Sequence, residues 1–589
     1  MPRVTNIFKW RPKPALSVPL ITACFCICEV LRGIDAGVLA VILPSIAEDL
    51  HANSIDTYWT GSIYILSMTI TQPIFAGISK SFGQRSCLLA SVGVFIIASA
   101  LCALATNIKW LIGTRLLQGV GAGGMDVSFS MIIVNLVSLK DRPKYNTYMQ
   151  MALTLGIASG AIVGAVVVEH FSWRVIFWVN VPIATTALVL LFVLLHLKQE
   201  KQSFRNQIKS MDWLGIFLIS VSLVGVLYAL LSGGIVFPWK SPRIITPVII
   251  GTLAFVAFIF YEGMVAGKRF SPEPLIPMRI FSPRTASIGY SVVLLHAVAW
   301  CSLAFNFPLY FYIVEGRSQL GMAVRMLPTG LVPVLFAVLT TVLMTRLGKY
   351  KVLNTIGVAL LTGGLLTMWS LTENSRAAQT IGYQFIPAVG VGILFPTRTM
   401  MVQAAQKRDD DVPIASSVVA MLLNVGQCFG QALGSAIWQN SWNGLLKQAI
   451  ARGSIPQSFS IPATDVEHSL REIQSLPPLL RDQYRRISAT SISRIWIFMF
   501  GFGVIIFIVS FFAKDLSFNR DTKTTFDYRE DLEHNGSTQS LLPSVAPISM
   551  DTIPLILPED VVVQEPTRYD EAQQDHLYSG RYYRSRGIL

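Results

Sequence analysis

Six ionisable or amide side chains sit in stretches that are otherwise apolar. Within residues 19–47 the chain places Glu29, Arg32 and Asp35 at steps of three, and within 110–137 it places Arg115, Gln118 and Asp126. A charge at the centre of a lipid bilayer costs about 2.5 kcal/mol or more unless it meets a partner or water. On a helix, steps of three set Glu29 and Asp35 each beside Arg32, so one reading is a locally neutralised cluster. The other reading is chemical: a carboxylate between a cation and a low-dielectric wall titrates as protons or substrate reach it. That role is expected of Asp35 ahead of Glu29.

Arg115 and Asp126 are eleven residues apart, close to three helical turns, which predicts one shared face and a separation of about 16 Å along the axis. Arg115 keeps its proton and must hold a carboxylate, carbonyls or water. Asp35 is the expected carboxylate. The glycines between them, Gly119, Gly121, Gly123 and Gly124, predict close approach of another helix. Two further stripes, Gly156, Gly160 and Gly164, then Gly426, Gly430 and Gly434, repeat at spacing four. Such stripes are packing seams, and their matching places also admit a sliding contact between two halves of the molecule.

No GxxxxGK[ST], HExxH or GxSxG pattern occurs, and no His, Cys or Asp cluster has metal-ligand spacing. An enzyme is therefore not expected, nor a cofactor, a metal or use of ATP. The seven cysteines lie in or beside apolar stretches without a CxxC pair, the pattern of small apolar fillers. His296, the one histidine of its stretch, is expected as a packed or hydrogen-bonded helix residue ahead of a proton relay.

The elements that must position these groups follow from composition. The 589 residues are 52% apolar and only 14% charged, far from a water-soluble domain. Fourteen windows of the length a bilayer requires are found, the first at 19–47 and the last at 495–512. The expected plan is an all-α polytopic membrane protein. It has a cytoplasmic N-terminus (1–18), a six-helix half (19–200), a loop with an inserted helix pair (201–284), a second six-helix half (285–514) with a long extracytoplasmic loop (439–494), and a disordered cytoplasmic tail (515–589).

Alternate loops are rich in Lys and Arg, among them Lys80 with Arg85, Lys140 with Arg142 and Lys144, and Arg346 with Lys349 and Lys351. By the positive-inside rule both termini are cytoplasmic. The tail holds 13 acids against seven Lys and Arg, net −6, which leaves +19 of the overall +13 on the body. Anionic lipid, not nucleic acid, is the partner such loops imply. Two turns repeat, Phe82-Gly83-Gln84-Arg85 and Leu347-Gly348-Lys349-Tyr350-Lys351, as in transporters built from parallel six-span repeats with a site at their interface.

Arg115-x-x-Gln118-Gly119-x-Gly121, Asp35 followed by Leu43-Pro44, and Trp173-Arg174-x-x-Phe177-x-x-Asn180-x-Pro182 resemble the fourth-, first- and sixth-span motifs of the major facilitator superfamily. The likeness is to its fourteen-span drug:proton antiporter branch, common in fungi, and covers about residues 15–515. Lys80 stands where the family's gating loop of Gly83 and Arg85 carries an aspartate, and Ala161 and Ala165 stand where its span-5 motif has Pro and Gly. The resemblance implies a monomeric alternating-access transporter that exchanges protons for a small amphipathic drug, toxin or metabolite, in the plasma membrane. A second reading is a vacuolar transporter of basic amino acids, with Asp35 and Asp126 as ligands. A third is a non-transporting sensor on the same fold.

Overall fold

A segment crossing lipid must satisfy every backbone N–H and C=O within itself, so long apolar runs fold as helices. In a computed structural model of the chain, the described residues are 14–52, 54–195, 197, 211–234, 236–264, 274–463, 466 and 470–517. The N-terminal 13 residues, the tail beyond 517 and the basic stretches at 198–209 and 268–269 lie outside them.

Fourteen long helices occur among the described residues: α1 (Pro14–Asp49), α2 (Ser54–Phe82), α3 (Gln84–Ala103), α4 (Ile108–Leu136), α5 (Arg142–His170), α6 (Arg174–Leu194), α7 (Trp213–Ser232), α8 (Pro242–Met264), α9 (Arg284–Leu309), α10 (Leu327–Leu347), α11 (Lys351–Trp369), α12 (Ala377–Ala405), α13 (Asp411–Ala451) and α14 (Pro478–Phe511). Thirteen are long and apolar enough to cross a membrane. The other, α1, has the length but carries Glu29, Arg32 and Asp35. The expected windows fall on these helices in order, the one at 323–344 beginning in a short helix, Gln319–Arg325, and the one at 288–314 ending in a π-helical turn, Tyr310–Val314.

One stretch differs. Residues 439–494, expected as a loop, are largely helical, because α13 and α14 extend into them from both sides and Leu470–Ser475 adds a short helix. Reading hydropathy stops at Gln439 and Asn440, and again below Arg494. A helix outside lipid needs only one apolar face, and here that face stacks Trp442 on Tyr484 with Trp438 tilted against Trp442.

Helix pairing repeats with an offset of eight. Within the first half α1 packs on α5 and α6, α2 on α4, and α3 on α4 and α6; within the second, α9 packs on α13 and α14, α10 on α12, and α11 on α12 and α14. The halves meet along α5–α10, α2–α13, α4–α13 and α5–α12. The inserted α7 and α8 pack on each other, with α7 also against α2 and α13. Both repeated turns use a left-handed glycine, Gly83 at φ 88° and Gly348 at φ 64°, a conformation that costs other residues strain.

The glycine stripes correct one expectation. They line seams inside each half, not a sliding surface between halves. A Cβ at Gly160 would meet the Ile34 carbonyl oxygen of α1 at 2.7 Å, and one at Gly156 or Gly164 would meet Val30 or Val38. In the second half, Gly426 and Gly430 face Leu294, Ala297 and Val298 of α9, and Gly434 faces Ser302 and Asn306. The fifth helix of each half thus lies backbone to backbone on the first, which only small residues allow.

Candidate functional site

The antiparallel crossing of α1 and α4 holds two polar networks, one above the other. In the first, Arg115 Nη1 donates to Asp35 Oδ2 at 2.5 Å and to Gln118 Oε1 at 2.7 Å. Arg115 Nε donates to the Thr60 carbonyl at 3.4 Å, and its guanidinium lies 4.4 Å from the centre of the Tyr64 ring. Gln118 Nε2 donates to Ser99 and Asn180 Nδ2 donates to Asp35 Oδ1 at 3.4 Å. Asp35, Arg115 and Gln118 are each 0% exposed. Gly119 makes this possible, since a Cβ there would strike Ser67 Oγ and the Tyr64 carbonyl of α2.

In the second network, Arg32 Nη1 pairs with Glu29 Oε1 at 3.2 Å and with Asp126 Oδ1 at 3.1 Å. Asp126 Oδ2 accepts from Gln72 Nε2 at 2.7 Å and from Asn424 Nδ2 at 3.0 Å. Asn424 belongs to α13, so this carboxylate joins the halves. The expected pairing of Arg32 with Asp35 is not made. Six residues turn a helix through about 240° beyond one full turn, which swings Asp35 well away from Glu29 and toward α4 and α6. The shared face of Arg115 and Asp126 is as expected, with both directed at α1 and α2.

Beside the second network lies a cavity of about 80 Å³ between the halves, lined by Glu29, Asp126 and Gln150 on one side and by Arg398, Gln403 and Ser416 on the other. Arg398 of α12 is 2% exposed. Its Nη1 lies 2.6 Å from His296 Nδ1, and because a guanidinium only donates, that ring nitrogen must be the acceptor. His296 is therefore hydrogen-bonded, as expected, but not isolated. Glu29 Oε2, Arg398 Nε and Gln403 Oε1 have no hydrogen-bond partner. Arg398 and Asn424 join the site without having been expected there, and Asn180, named above only as part of the sixth-span motif, proves to be a partner of Asp35. The first was open to the rule applied to Arg115, a charge inside an apolar window; the two amides gave no comparable signal.

Lys80, Gly83 and Arg85, the residues expected to gate, stand apart from both networks. Lys80 Nζ donates to the Pro274 and Leu275 carbonyls at 2.8 and 3.3 Å, on the segment that leads from the inserted pair into the second half. That segment is held further by Glu262 Oε1, which accepts from Leu275 N at 3.0 Å, and by Arg279, which forks onto Asp411 at the start of α13. Arg85 Nη2 donates to the Phe192 carbonyl at 2.8 Å, and Gly83 supplies the turn between them. The side chains of Pro44, Ala161 and Ala165 lie outside the described residues.

Known proteins resemble this arrangement. A family model for the Major Facilitator Superfamily matches residues 25–211. Efflux pump FUS6 of Gibberella fujikuroi is 29% identical, over 87% of this chain and 91% of that protein. The Acurin A biosynthesis cluster MFS-type transporter of Aspergillus aculeatus is 28% identical, over 87% and 92%. Among solved structures, the proton:xylose symporter XylE bound to 6-bromo-6-deoxy-D-glucose aligns at a TM-score of 0.52 and 14% identity, over 85% of this chain and 97% of that one. With two six-helix repeats, an inserted pair and these relatives, the chain is an integral multi-pass membrane protein of the transporter kind, not an enzyme; over residues 25–211 it is similar to the Major Facilitator Superfamily, and along most of its length to fungal efflux pumps.

Proposed function

We propose that this transporter exports a small amphipathic organic compound, of the drug, toxin or secondary-metabolite kind, in exchange for protons by alternating access. The observation that carries the reading is the fully buried Asp35–Arg115 pair, linked through α1 and α4 to the Asp126–Asn424 contact between the halves. A proton on Asp35 removes the charge that holds Arg115, and the guanidinium must then find another acceptor. Release of that pair loosens α1 from α4. Because Arg32 of α1 grips Asp126 of α4, the same shift alters the cavity wall and the bond to Asn424. A substrate entering that cavity makes the reverse demand, so proton and substrate compete through one pair of helices.

A cavity of about 80 Å³ is below the roughly 300–1,000 Å³ of small-molecule sites, so loading requires the halves to part. The end of the bundle with Lys80, Arg85, Arg279, Arg284, Lys407 and Arg408 is cytoplasmic by the positive-inside rule. The reading includes a monomer in the plasma membrane, with both termini cytoplasmic and no use of ATP. Efflux relatives support export. The buried cation Arg398 in the cavity wall speaks against the alternative cargo, basic amino acids moved into a vacuole.

The test begins with cells lacking the gene, whose accumulated compounds name candidate substrates. Purified protein in vesicles with an imposed pH gradient is then given those compounds. Substrate-dependent proton flux is expected; saturable binding with no flux would mean a sensor and contradict antiport.

A further inference from the structure

Every other strongly buried arginine in the two halves' cores has an evident acceptor set: Arg115 has Asp35, Arg32 has Glu29 and Asp126, and Arg142 has the Val134 and Val137 carbonyls. Arg398 does not. Among the described residues it forms no ion pair with a carboxylate, its Nε has no partner, and its one hydrogen-bonding neighbour is the neutral-acceptor nitrogen of His296. The asymmetry lies at corresponding places of the repeat. Where α4 meets α1 the first half sets Asp126 against Arg32, and where α12 meets α9 the second half sets Arg398 against a histidine.

A buried guanidinium is costly in a membrane and marks a ligand or ion path by default. It is also the side chain best shaped to grip a carboxylate through two parallel N–H donors. The cavity wall around Arg398 has the remaining parts of such a site. Thr399 offers a hydroxyl donor, and Phe395, Met149, Phe129 and Val419 offer apolar surface.

We infer that Arg398 is the recognition residue for the exported compound, and that this compound is an organic acid whose carboxylate docks on the guanidinium while its apolar body lies against the aromatic and aliphatic wall. The inference rests on the transport reading above and narrows its substrate class. Glu29 and Asp126, on the facing wall, repel the same carboxylate when Arg32 does not hold them, which gives the acid a way to be driven off once the coupling pair has changed.

The test uses three probes of one body: pyrenebutyrate, its methyl ester, and pyrenebutylamine, with the full chain in lipid nanodiscs and in vesicles. Wild type is expected to bind the acid about tenfold or more tighter than the ester, and the amine weakest. Arg398→Gln should bring acid and ester to within about twofold, while Arg398→Lys, which keeps a charge without the fork, should retain part of the preference. Monodispersity and melting of each variant establish folding, and ester binding unchanged from wild type shows that the cavity survives. Equal binding of acid and ester by wild type, no binding of the acid, or an acid preference that persists in Arg398→Gln would overturn the assignment. Proton-driven flux of the ester without acid preference would sink the substrate class and spare antiport; selective acid binding without proton-driven flux would do the reverse.

Discussion

Asp35 of α1 and Arg115 of α4 meet at 2.5 Å with neither side chain exposed to solvent beyond 1%. Breaking a buried pair leaves the remaining charge uncompensated, at a cost of about 3–5 kcal/mol. Asp35→Ala and Arg115→Ala should each lower the melting temperature of the detergent-solubilised protein markedly. The double variant should lose less than the sum of the two, because no orphan charge remains. Additive losses would mean that the two groups are not coupled. Reversing both charges should restore some transport, whereas either reversal alone should abolish it.

The glycine seams make a prediction of contrast. At Gly160 and Gly430 an added side chain would press on backbone of the first helix of its own half, while Gly93, Gly113 and Gly444 have open space. Overpacking of this kind costs about 1–3 kcal/mol. Gly160→Val and Gly430→Val should therefore reduce the yield of monodisperse protein and its melting temperature, and Gly93→Ala and Gly113→Ala should change neither. Tolerance at Gly160 would show that α1 and α5 separate more easily than their packing implies.

Lys80 binds the linker that also carries Arg279, and Arg279 forks onto Asp411 of the second half. The linker is thus tied to α2 on one side and to α13 on the other. Removing the Lys80 contacts costs about 1 kcal/mol at an exposed site, roughly a fivefold change in a two-state equilibrium. Lys80→Asp, which places a carboxylate against two carbonyls, should shift the distribution of spin-label distances between α2 and α13 toward the open form at that end. An unchanged distribution would remove Lys80 from gating.

The helical region between α13 and α14 depends on one hydroxyl. Tyr484 donates to the Phe459 carbonyl and accepts from Ile461 N at 3.1 Å, while Trp442 Nε1 donates to the Ile461 carbonyl at 3.0 Å. Tyr484→Phe leaves a buried N–H and a carbonyl without that partner, at about 1–3 kcal/mol. Faster proteolysis within 456–463 is expected, with transport retained. Equal resistance would mean that the segment is held by the Trp442 stack alone.

Much of this was legible in the sequence, for reasons of chemistry that act along the chain. Hydropathy locates the fourteen helices because lipid leaves the backbone no other option, and the spacing of Arg115 and Asp126 gave their common face. The match of the fifth-helix glycines was visible too, but not their target. Spacing within α1 suggested that Arg32 serves Asp35, and the fold sends it to Asp126 instead. Partners on other helices are set by crossing geometry, which one-dimensional spacing does not encode. Asn424 and Asn180 are ordinary amides until α13 and α6 bring them to a carboxylate. Arg398 stands in the sequence as Arg115 does, a cation inside an apolar run.

Substrate-dependent proton movement by Asp35→Asn decides whether Asp35 carries the coupling proton. Vesicles containing wild type or Asp35→Asn are loaded with a pH-sensitive dye, and one compound shown to be a substrate is followed in two modes: accumulation against its gradient under an imposed pH difference, and exchange at equal pH. Asparagine keeps the size and can still bond Arg115 and Asn180 but cannot take up a proton. Asp35→Asn should lose gradient-driven accumulation and substrate-dependent proton flux while retaining exchange. Proton flux and accumulation equal to wild type in a folded Asp35→Asn protein would contradict coupling through this carboxylate.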